Sequence, residues 1–136
     1  MKINLKRLND HMHFQCTNEA GHSLELSGDG NAVGPMQSVL MAIAGCSSID
    51  VVSILGKMKL DLKDIQVEVN AERAKDQTPA VFTKINVHYK LYGDIPEAKA
   101  ERALELTFTK YCSVSVMLQK AAEINYSFEI IDELTG

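Results

Sequence analysis

The sequence predicts an α+β protein with the element order βββαββααβ. Three observations predict it. Residues 35–59 form a long apolar stretch with one charged residue, Asp50, between its ends; residues 65–71 and 81–92 alternate apolar with polar side chains; and no β-α-β unit repeats. Antiparallel sheets around a long central helix, in a single domain over residues 1–136, are expected.

Each element has a local reason. Residues 2–8 alternate loosely, with Ile3 and Leu5 on one side, and residues 13–17 place Phe14 and Cys16 together. Asn18-Glu19-Ala20-Gly21 is turn chemistry, and Leu24 and Leu26 mark a third short strand. Gly28 to Gly34 is a glycine-rich connector. It lacks the Lys-Ser/Thr of a phosphate loop, and Leu40 stands where a calcium-binding loop needs its glutamate.

The long helix starts at Gly34-Pro35, because proline gives up an N–H that the first turn leaves unpaired, and Lys57 and Lys59 suit its carbonyl end. Apolar side chains cover nearly its whole circumference, so it should be enclosed. One stripe breaks the pattern: Cys46, Asp50, Ser53 and Lys57, whose i, i+4, i+7, i+11 spacing puts them on one seam. A membrane span is disfavoured, since Asp50 would lie deep in hydrocarbon at a cost of about 3 kcal/mol. A chain of 136 residues hardly covers such a helix alone, which predicts a homodimer with the long helices near its centre.

Downstream, the two alternating runs form a hairpin joined by residues 75–79, with Ile85, Val87, Tyr89 and Leu91 on the inner face. Asp94 and Glu97 read as a capping box for a helix burying Ala100, Ala103, Leu104, Phe108 and Tyr111. A break near Tyr111-Cys112-Ser113 starts a second helix, with Val114, Met117, Leu118, Ala121 and Ala122 on one face. Tyr126, Phe128 and Ile130 alternate in a last strand.

Composition excludes several functions. The net charge is −4 with cations scattered singly, so neither nucleic acid nor an anionic membrane is an expected partner. Three distant cysteines build neither a disulfide scaffold nor a zinc site of short spacing, so free thiols and no metal or other cofactor are expected. Met1-Lys2-Ile3-Asn4-Leu5-Lys6 places charges where a signal peptide needs an apolar core, and a cytoplasmic location follows as the expectation.

Attention therefore falls on the thiols. Cys112 at the first turn of a helix meets unpaired N–H groups that favour thiolate, with Ser113 and Ser115 able to add hydrogen bonds. Cys46 lies mid-helix in apolar surroundings. Composition and spacing nominate Cys112 as the reactive sulfur. Cys16, beside Phe14 on a strand, reads as packing, and a metal site with His11 and His13 is improbable because Cys16 points to the opposite face.

The run Gly34-Pro35-Met36-Gln37-Ser38-Val39-Leu40-Met41-Ala42-Ile43-Ala44-Gly45-Cys46 resembles the S/N-P-x-x-x-(apolar)-A-x-x-(G/A)-C pattern of the OsmC/Ohr family, the osmotically inducible and organic-hydroperoxide-resistance proteins. Cys112-Ser113-Val114-Ser115, 66 residues on, is similar to that family's C-P-x-S. The Gly45-to-Leu55 run looks most like the YhfA-type branch. This resemblance implies an intertwined homodimer whose paired cysteines reduce hydroperoxides. Cys46 would attack as thiolate, Cys112 would condense with it to a disulfide, and an external dithiol would clear the bridge. The family prepares its attacking thiol with an arginine held by a glutamate ten residues before the cysteine. Here Met36 stands at that place, Glu25 and Gln37 are the candidate substitutes, and Arg7 is the N-terminal arginine. Asp50 is either an acceptor holding the helix seam or a tuner of Cys46. The expected function is a thiol-dependent peroxidase; the alternative is a non-catalytic redox sensor or a module binding a small apolar ligand or partner.

Overall fold

The computed structural model describes residues 1–132. Its strands and helices are β1 Ile3–Arg7, β2 His13–Asn18, β3 Ser23–Ser27, α1 Pro35–Lys57, β4 Asp64–Arg73, β5 Phe82–Tyr92, α2 Glu97–Leu106, a π-helical turn Thr107–Tyr111, α3 Ser113–Leu118 and β6 Glu123–Ile131. The βββαββααβ order is the one predicted. Contacts gather in two compact units, Met1–Met41 and Ala42–Gly136.

The first unit is an antiparallel meander, β1-β2-β3, with Leu5, Cys16 and Leu24 in one row across the sheet. Asn18 Oδ1 accepts the Ala20 and His22 N–H groups and closes the β2–β3 turn. The Gly28–Gly34 connector is tied back by Ser27, whose hydroxyl accepts from Ala32 N and donates to Ala32 O.

In the second unit β4 and β5 pair as the expected hairpin. β6 departs from expectation: it runs parallel to β5, so this sheet is mixed rather than antiparallel. Apolar–polar alternation is the same for either strand direction, and the helical connection between Tyr92 and Glu123 is long enough for a crossover that returns the chain in the same sense. The inner face of β5, Ile85, Val87, Tyr89 and Leu91, is fully buried with Ala100, Ala103, Leu104 and Phe108. Phe108 meets Tyr89 edge-on at 6.3 Å and stacks on Tyr126 at 5.0 Å.

α1 is long and apolar enough to cross a membrane by length and composition. It buries one stripe, Ile43, Ser47, Val51 and Leu55, at i, i+4, i+8 and i+12, whereas Ile49 and Val52 are exposed. All-round apolarity is therefore not matched by all-round burial within the chain. The helix ends in a Schellman motif: Leu60 N–H reaches Leu55 O, Lys59 N–H reaches Gly56 O, and Lys59 takes the left-handed conformation at φ 62°.

Three local expectations need correction. Asp94 does not cap α2; Pro96 is its N-cap with no side-chain hydrogen bond. Proline disfavours helical backbone at the preceding residue, here Ile95, so the helix cannot begin at Asp94. Tyr111 is exposed, because the wider π turn takes it off the buried face of α2. α3 stops at Leu118 with Met117 exposed, and Ser115 is what it buries.

Candidate functional site

Two cysteines and a carboxylate converge in the second unit. One ligand atom from each of Cys46, Asp50 and Cys112 lies within 4.8 Å of the other two. Cys46 and Asp50 are one helical turn apart on α1, so their juxtaposition follows from the i, i+4 geometry. Cys112 arrives by a different route. Thr107 Oγ1 donates to Ala103 O at 2.8 Å, and the π turn closes with Cys112 N–H on Thr107 O at 2.8 Å. The backbone then becomes extended at Cys112 (φ −78°, ψ 101°), which caps α3 by accepting Ser115 N–H on Sγ at 3.4 Å. Gln119 Nε2 fixes this corner by donating to Phe108 O at 2.8 Å and Ser115 Oγ at 2.9 Å.

The cap was expected to favour thiolate at Cys112. Burial decides otherwise: the side chain is fully enclosed, and the thiol is pushed up from 9.0 to about 12. Desolvation is the largest cause; the Ser115 N–H works against it, and neighbouring Cys46 and Asp50 add to it. Cys112 is therefore protonated at neutral pH, whereas Cys46 is only partly buried.

Tyr89 and Ser47 are the members of this neighbourhood that sequence reasoning missed. Both are fully buried, the Tyr89 phenol donates to Ser47 Oγ, and Ser47 donates in turn to Ala44 O at 3.3 Å. Burial raises the Tyr89 phenol first; the Ser47 hydrogen bond lowers it, and Cys112, Asp50 and Cys46 push it further up. A tyrosine within an otherwise aliphatic strand face, with a serine following Cys46 on the helix stripe, was the available signal.

The remaining expected residues make other contacts. Arg7 sits in the first unit and donates its Nε–H to His11 O at 2.8 Å. Gln37 accepts Gly34 N–H at the start of α1, and Glu25 pairs with His13 at 2.7 Å, so neither candidate substitute for the family glutamate holds a guanidinium in these contacts. Arg73 donates to Ala80 O and Arg102 to Glu105. Ser113 is exposed at the first turn of α3; the N–H on sulfur comes from Ser115. Cys16 lines a shallow apolar groove in the first unit with Ile3 and Leu24.

Beside the cluster, the seam residues Asp50, Ser53 and Lys57 join Ile54, Met58, Leu106 and Tyr111 around a cleft of about 310 Å³. Asp50 belongs to both. Its Oδ2 is buried and has no hydrogen-bond partner among the described residues.

Known proteins share this arrangement of elements. The family model described as OsmC-like protein matches residues 28–127. The chain is 44% identical over 115 residues to Protein YhfA of Escherichia coli, covering 82% of this chain and 85% of that protein. A hypothetical protein from Aquifex aeolicus superposes with a TM-score of 0.86 at 27% identity, over 95% of this chain and 94% of that one. An organic hydroperoxide resistance protein OsmC from Legionella pneumophila, described as a predicted redox protein, superposes at 0.71 with 16% identity, over 95% and 97%. The matched span includes both Cys46 and Cys112, and this chain belongs to the OsmC-like family.

Proposed function

We propose that the chain is a thiol-dependent peroxidase that reduces organic hydroperoxides through Cys46 and Cys112. The observation that carries this reading is the meeting of two sulfurs from remote helices within 4.8 Å, beside a carboxylate oxygen that has no hydrogen-bond partner among the described residues. In the first step the Cys46 thiolate attacks the O–O bond. The sulfur becomes a sulfenic acid and is oxidised by two electrons, and the alkoxide leaves as alcohol after taking one proton. Asp50 is placed to hold the proton given up by Cys46 and return it to that alkoxide. In the second step the Cys112 sulfur displaces hydroxide from the sulfenic acid, its proton leaves with it as water, and the S–S bond forms. An external dithiol then reduces the bridge and restores both thiols.

Ile54, Met58, Leu106 and Tyr111 offer the cleft's apolar wall to the organic part of the hydroperoxide. Met36, in the glutamate's place, cannot hold a guanidinium, and Asp50 supplies the carboxylate next to the thiols instead. A homodimer is part of the proposal, supported by the exposed Ile49 and Val52 on α1 and by Ile3, Leu5 and Leu24 on the first sheet. So is a cytoplasmic setting, where thiol reductants are available.

The test is hydroperoxide consumption with an excess of a small dithiol. Wild-type protein turns over and Cys46→Ser does not, and Cys112→Ser given one equivalent of hydroperoxide with the dithiol removed stops at a dimedone-reactive sulfenic acid on Cys46. Turnover by Cys46→Ser at the wild-type rate would remove Cys46 as the attacking thiol, and peroxide left unconsumed by the wild-type protein would leave only the non-catalytic alternative, a sensor or ligand-binding module.

A further inference from the structure

We propose that Cys46, Asp50 and Cys112 also form a binding site for a zinc-class divalent cation, which competes with peroxide for the same two sulfurs. Short-range spacing in the sequence excludes such a site; the fold assembles one across 66 residues. A tetrahedral zinc with S ligands at about 2.3 Å and O at about 2.1 Å needs donor atoms about 3.6–3.8 Å apart. The three donors already lie within 4.8 Å of one another, so closing on a metal takes about an ångström of side-chain movement. Two of them share one turn of α1, the i, i+4 arrangement that recurs in helical zinc sites.

A second, independent feature points to a cation. Asp50 Oδ2 is buried without a hydrogen-bond partner among the described residues. A carboxylate oxygen in that state needs a proton or a cation, since an unsatisfied buried acceptor costs about 1–3 kcal/mol and a charged one more. The donor set also selects the metal. Magnesium and calcium ask for six or more oxygens, and copper(I) would take the sulfurs and leave the carboxylate unused; two thiolates and a carboxylate suit zinc. Binding releases the two thiol protons, so two thiols, one carboxylate and Zn²⁺ become a site of net charge −1 plus two H⁺. Lys57 on the same seam and the cleft beside Asp50 provide a nearby positive charge and a path for the ion.

The cation would occupy the thiol cluster of the proposed peroxidase without using its chemistry, so the two readings fail separately. Reduced Cys16→Ser protein, which removes the unrelated thiol, is titrated anaerobically with Co²⁺ and back-titrated with Zn²⁺. The expected result is one cobalt per chain with sulfur-to-cobalt charge-transfer absorption that zinc abolishes. Cys46→Ser and Cys112→Ser should each weaken binding at least tenfold, and Asp50→Asn at least tenfold while both thiols remain titratable. Absence of the charge-transfer band, or undiminished binding by Asp50→Asn, overturns the three-ligand site. A measurement free of variants at the cluster guards against misfolding: zinc, unlike magnesium, should slow maleimide alkylation of the partly buried Cys46 by tenfold or more. Equal alkylation rates overturn the proposal. Hydroperoxide turnover measured in a metal chelator reports on the peroxidase alone.

Discussion

Replacing Tyr89 with phenylalanine removes one oxygen from the most enclosed polar contact near the thiols. The Tyr89 ring is fully buried, and its hydroxyl donates to Ser47 Oγ, which still has Ala44 O as its own acceptor. The variant therefore loses one buried hydrogen bond and opens a void of one oxygen, a cost of about 1–2 kcal/mol. Ser47→Ala leaves the phenol buried with no acceptor, at about 1–3 kcal/mol. Removing both partners strands neither group, so the double variant should cost about 1 kcal/mol less than the two singles added together. Chemical denaturation of the four proteins in one buffer measures this, and Tyr89→Phe alone should lower Tm by roughly 3–8 °C for a chain of this size. Additivity within about 0.3 kcal/mol would refute the claim that these hydroxyls are each other's partners.

Further outcomes rest on single residues. Gly93 sits at φ +132°, and a Cβ at this position would stand only 2.7 Å from Asp61 O, so Gly93→Ala should destabilise by about 2–4 kcal/mol, read from the denaturation midpoint. Lys59→Gly should stabilise by about 0.5–1 kcal/mol by relieving the left-handed backbone at the end of α1. The Cys112 thiol is held above its ordinary 9.0, at about 12, so the folded state keeps a proton that the unfolded chain gives up between these values. That contribution to stability is complete below about pH 9 and is lost as pH rises toward 12; Tyr126, raised from 10.0 to about 12, adds in the same direction. Denaturation midpoints at about pH 8 and about pH 10.5 should fall with pH, and fall less steeply in Cys112→Ala.

Periodicity made most of the architecture legible. The two-residue alternation located the β4–β5 hairpin and its buried face, and the i, i+4 seam on α1 placed Cys46 with Asp50 from spacing alone. What periodicity does not carry is direction or depth. The pattern of β6 fits parallel and antiparallel pairing equally, and the helix-cap position of Cys112 was readable while the burial that keeps it protonated was not. The Asp94 cap failed because Pro96 imposes a backbone constraint stronger than a capping preference. Tyr89 and Ser47 escaped notice because each fits its element as an ordinary packing residue, and only their meeting gives them a role.

The central claim is that Cys46 and Cys112 react with each other. Reduced protein mixed with one equivalent of an alkyl hydroperoxide, quenched with an alkylating agent after a few seconds and mapped by peptide mass, tests it most directly. The expected result is one cross-linked species joining the Cys46 and Cys112 peptides, with Cys16 recovered as a free, alkylated thiol. Recovery of Cys46 and Cys112 both alkylated, or a bridge that runs through Cys16, would contradict it.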